Sequence, residues 1–86
     1  MNPATEAHHL TLRAGLQPMW TIYERPTDYP NGFIARLFVH GPGIFGPSLE
    51  TVKGATLQEV RAGLPKGLFC MPRFPEDDPK IVEVWI

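Results

Sequence analysis

The chain of 86 residues has one cysteine, no uninterrupted apolar run approaching a membrane span, and no basic stripe. A single thiol, Cys70, excludes an internal disulfide framework and fits a reducing compartment or simple indifference to redox state. A membrane-spanning helix needs about 20 consecutive apolar residues, so no membrane partner is expected. Eight Lys and Arg stand against nine Asp and Glu, three of each up to Gly46 and then five basic against six acidic. Non-specific nucleic-acid binding draws on clustered cations that displace counterions, and this interleaving predicts no nucleic-acid partner. Glu6, His8 and His9 occupy the positions where an export signal places basic residues and then a long apolar stretch, which makes a cytoplasmic protein the expectation.

The length suits one domain, since domains run to roughly 50–250 residues around one core. Residues 1–18 have weak periodicity and end in Gly15 and Pro18, and they read as an N-terminal extension, flexible or docked through Leu10, Leu12 and Leu16 as a short strand or turn. The dense aromatic pattern starts at Met19, a candidate alternative translational start, and residues 19–86 form the predicted domain.

Trp20, Ile22 and Glu24 alternate with Thr21, Tyr23 and Arg25 in a first strand over 19–25. Pro26, Asp28, Pro30, Asn31 and Gly32 then supply the fixed φ angles and side-chain acceptor of a chain reversal. In the second strand Phe33, Ala35, Leu37 and Val39 make a wholly apolar core face, and Phe38 lies on a mixed second face that needs a cover. Ser48 to Lys53 make a third strand. Thr56 and Glu59 are spaced as a capping box, and Leu57, Val60 and Leu64 form the apolar stripe of a two-turn helix stopped by Gly63 and Pro65. Leu68–Arg73 and Ile81–Ile86 flank the polar turn FPEDDPK as a terminal hairpin. The order β-β-β-α-β-β predicts an α+β fold, a small antiparallel sheet of about five strands with one short helix on one face.

The segment GPGIFGP contains Gly41, Gly43 and Gly46 at dinucleotide-motif spacing, but it opens onto Pro47 and a strand-like run instead of a helix, and its prolines remove two N–H donors. It reads as a long interstrand connection, and no cofactor is expected. Ile44 and Phe45 remain as large apolar side chains at its tip, which either fold back on the domain or contact a partner. His8 and His9 have no Cys or His at structural-zinc spacing, and Glu76, Asp77 and Asp78 lack the alternating ligands of a calcium loop, so no metal is expected. Cys70 and His40 could form a nucleophile and base if they met in space, although Cys70 shares its alternation with Leu68 and reads first as a small apolar residue.

MWTIYERPTDYPNGFIARLF with GATLQEVRAGLPKGLFCMPRFPEDDPKIVEVWI resembles a group of small uncharacterised proteins of proteobacteria and their phages, over nearly all of residues 19–86. That resemblance implies that residues 1–18 are an extension or an over-called start, and it transfers no activity and no catalytic residue. A looser similarity, Gly54 to Val60, is to the helix start of HicB-type antitoxin domains, without their proline-glycine-cysteine element or DNA-binding segment. The resulting expectation is a protein-protein interaction module, with Ile44, Phe45, Phe38 and Trp85 as partner-binding residues. An antitoxin-like or phage-encoded inhibitor and a small enzyme using Cys70 and His40 are the alternatives. An edge strand over 81–86 would further allow a homodimer that buries Trp85 across a two-fold axis.

Overall fold

A computed structural model describes residues 2–86 of the chain. Alternation of apolar and polar residues resolves into five strands, β1 (Gln17–Glu24), β2 (Phe33–Gly41), β3 (Ile44–Gly54), β4 (Cys70–Pro72) and β5 (Ile81–Trp85). All pair antiparallel in one sheet ordered β3-β2-β1-β5-β4. The predicted α+β architecture is therefore present, with two helices, α1 (Pro3–Arg13) and α2 (Leu57–Gly63), where one was expected.

Register decides the core. Trp20 lies opposite Leu37 and Ile22 opposite Ala35, so all four point to one face, where each is at most 1% exposed. Both helices pack there, contributing Ala4 from α1, Val60 from α2 and Leu64 just beyond it. The capping box of α2 forms, with Thr56 Oγ1 accepting from the Glu59 N–H (3.2 Å) and Glu59 Oε2 accepting from the Ala55 N–H (2.8 Å). The carboxylate thus reaches one residue beyond the cap itself.

Residues 3–13 form a helix packed on the core, in place of an extension docked as a strand or turn. Asn2 caps α1 by accepting from the Thr5 N–H (2.8 Å), Pro3 fills the first helical position, and Gly15 follows the end at φ 78°. Ala4, His8 and Thr11 fall on one helical stripe and are buried, whereas Leu10 and Leu12 point outward.

Two connections differ from expectation. The chain between β2 and β3 is only the Pro42-Gly43 pair, with Gly43 at φ 72°, the sequence and backbone sign of a type II turn. Gly46, Pro47, Ile44 and Phe45 accordingly belong to β3, which starts four residues earlier than predicted. The β2–β3 register also shifts between the pairs Arg36↔Thr51 and Phe38↔Pro47, leaving Leu49 on the bulge fully in solvent. Secondly, β5 lies between β1 and β4, so neither of its sides is free to pair across a two-fold axis. The edges are β3 and β4.

Candidate functional site

With α1 and α2 both on the inner face, no helix among the described residues covers the outer one. On β2 that face carries Ile34, Arg36, Phe38 and His40, and on β1 it carries Met19, Thr21 and Tyr23. Phe45 sits opposite His40 on the neighbouring strand, and its ring stacks on Phe38 with centroids 6.1 Å apart and an interplanar angle of 24°. The His40 ring meets Phe45 edge-on at 5.8 Å. Phe45 nevertheless remains 68% exposed.

From this aromatic corner an apolar band runs across the sheet. Phe38 pairs with Met19, and beyond β1 the terminal Ile86 exchanges both backbone hydrogen bonds with Phe69 (2.7 and 2.9 Å). Phe69 precedes Cys70 and so faces outward with Met71, and it is 77% exposed. Val84, opposite Met71, and Thr21 form the adjoining row. Fully burying one such side chain stabilises by roughly 1.5–3 kcal/mol, a gain that Phe45 and Phe69 mostly leave unrealised within the chain.

Polar groups bound the band along β2. Arg36 forms an ion pair with Asp28 and lies 5.6 Å from the Tyr23 ring centroid. The hydrogen bond from Arg36 holds the Asp28 carboxyl below its ordinary range, while partial burial pushes the Tyr23 hydroxyl up. Lys53 lies over the Tyr29 ring at 5.5 Å.

Of the four predicted partner residues, Phe38 and Phe45 come together here. Ile44, adjacent to Phe45 on β3, faces the opposite side of the sheet, and Trp85 lies opposite Trp20 and packs on the core. Sequence reasoning missed Phe69 and Met19; their alternation was readable, but their membership of one surface depends on the order of the strands.

Cys70 and His40 do not meet. They occupy β4 and β2, with β1 and β5 between them, at least roughly 14 Å apart at ordinary strand spacing, and on opposite faces. Cys70 instead neighbours a polar cluster on the inner face. Arg61 donates through Nε (3.0 Å) and Nη2 (2.5 Å) to the buried Glu83, which also accepts from the Trp85 indole N–H. Hydrogen bonding from Arg61 holds the Glu83 carboxyl below its usual range, and burial followed by the Glu83 charge pushes the Cys70 thiol up. A raised thiol pKa is the reverse of what a cysteine nucleophile needs.

Among the described residues no group of three or more His, Cys, Asp or Glu is placed to hold a metal ion, and no helix is long and apolar enough to cross a membrane. No protein-family model, curated protein or solved structure matches the chain.

Proposed function

We propose that this protein is an interaction module that binds a partner protein through the uncovered face of its sheet. The observation that supports this reading is the apolar band from the stacked Phe45 and Phe38 through Met19 to Phe69, which no helix or second sheet among the described residues covers. Sheets bury apolar faces against another layer, and contiguous exposed apolar surface marks interaction sites. In this reading Phe45 and Phe69 are the anchors at the two ends of the band, and the Arg36–Asp28 pair and His40 form part of its polar rim.

The test is capture from lysate of the source cells by wild type, Phe45→Ser, Phe69→Ser and Leu10→Ser, the last altering the exposed side of α1. A partner retained by wild type and Leu10→Ser and lost by both phenylalanine variants is the expected result. Capture that survives both phenylalanine changes, or is lost equally with Leu10→Ser, rejects the sheet face as the binding surface.

A further inference from the structure

On the opposite side of the molecule, α1 and the chain leaving α2 enclose an open cleft of about 420 Å³. That volume falls within the roughly 300–1,000 Å³ of small-molecule sites. Its polar lining includes Thr5, His8, His9 and Lys66, and no lining residue is acidic. Leu12, Ala62, Leu64 and Pro65 supply an apolar wall.

His8 sets the chemistry of this cleft. The residue is 7% exposed, and its Nδ1 accepts the Trp20 indole N–H at 3.1 Å. An indole nitrogen only donates, so Nδ1 is unprotonated and the neutral ring carries its proton on Nε2. Among the described residues Nε2–H has no protein acceptor, and no wholly enclosed side-chain nitrogen or oxygen is left without a partner. Nε2–H is therefore not fully enclosed, and His8 is among the residues that line the cleft. A nearly buried donor with a fixed proton, an ammonium group from Lys66, and an apolar wall select a ligand with an anionic acceptor at one end and hydrocarbon at the other.

We propose that this cleft binds a small aliphatic carboxylate, its head accepting from His8 Nε2–H and paired with Lys66, its chain lying on Leu12, Leu64 and Pro65. This site is separate from the sheet face and stands or falls independently of the partner reading.

Hexanoate is the probe, with hexylamine, hexanol and inorganic phosphate as comparisons, followed by proton–nitrogen correlation NMR of the folded full chain. Hexanoate should shift the Trp20 indole N–H and the amides around Lys66 saturably, with a dissociation constant on the order of a millimolar. Lys66→Gln should weaken it roughly five-fold, the effect of about 1 kcal/mol from an exposed charge, whereas Lys80→Gln, away from the cleft, should leave it unchanged. Failure of hexanoate to bind overturns the proposal, as does equal binding of hexylamine or hexanol. Phosphate binding as tightly as hexanoate overturns the assignment of the apolar wall, and an unaffected Lys66→Gln variant overturns the ion pair.

Discussion

Trp20 and His8 are joined by one buried hydrogen bond, indole Nε1 to imidazole Nδ1 at 3.1 Å, which ties α1 to the centre of the sheet. An imidazolium donates from both nitrogens and cannot accept this bond. Burial, and secondarily His9, place the His8 pKa below its ordinary value of 6.5. The unfolded chain therefore takes up a proton near 6.5 while the folded chain does so only at lower pH. Stability should be complete above this value and fall as pH drops from it toward the folded pKa. Urea midpoints measured from about pH 8 to about pH 5 should show that decline, and His8→Gln, which supplies a non-titrating acceptor, should flatten it.

Removing residues 2–14 should destabilise the domain. It takes Ala4, His8 and Thr11 out of the buried interior and leaves the Trp20 indole N–H without its acceptor. The lost acceptor alone costs about 1–3 kcal/mol if the donor stays buried. A lower thermal midpoint with red-shifted tryptophan emission is the expected result. Unchanged stability and emission would return the segment to the status of an appendage.

The Arg61–Glu83 pair should respond asymmetrically. Glu83 has a side chain only 7% exposed, against 35% for Arg61, so deleting the guanidinium strands a charge that water barely reaches, whereas Arg61 left alone can turn outward. Arg61→Met should cost about 3 kcal/mol, at the low end for a broken buried pair because Trp85 still donates to Glu83. Glu83→Gln should cost less. Denaturant titrations of both variants give the comparison, and equal costs would mean that solvent reaches Glu83.

Cys70 is exposed, yet it should alkylate slowly at neutral pH, with its rate profile rising above the ordinary thiol range, because partial desolvation of the thiol and the adjacent Glu83 disfavour the thiolate. Glu83→Gln removes one of these causes and should move the iodoacetamide profile toward lower pH. A profile already inflecting below the ordinary range would instead identify an activated thiol.

The strands and α2 were legible because their signals are local. Trp20 and Ile22 alternate with Thr21 and Tyr23, and Thr56 with Glu59 marks the start of α2, whatever surrounds them. The α1 helix was obscured by its own buried stripe, which is alanine, histidine and threonine, while its larger Leu10 and Leu12 face solvent. An apolar-periodicity reading weights the wrong side of such a helix. The Asn2-Pro3 start and Gly15 end were the available signals.

The candidate surface was half legible for a related reason. Phe38 belongs to the second face of its strand by alternation alone, and the Pro-Gly pair at 42–43 permits the tight turn that brings Phe45 beside it. Reading the glycine-rich segment as a long loop put Ile44 and Phe45 together at a tip, whereas pairing from Gly41↔Ile44 onward sends their side chains to opposite faces.

By itself the sequence determined which residues face the same way along each strand, where α2 is capped, and that no disulfide framework staples the fold, since these follow from backbone periodicity, side-chain acceptors and a single thiol. Only the tertiary structure decided that β5 runs between β1 and β4, that Cys70 and His40 lie apart on opposite faces, and that Phe69 joins Met19 and Phe38 in one band. Strand neighbours are chosen by burying the whole core at once, including the indole N–H of Trp20 that His8 satisfies from a distant part of the sequence, and no local window contains that constraint.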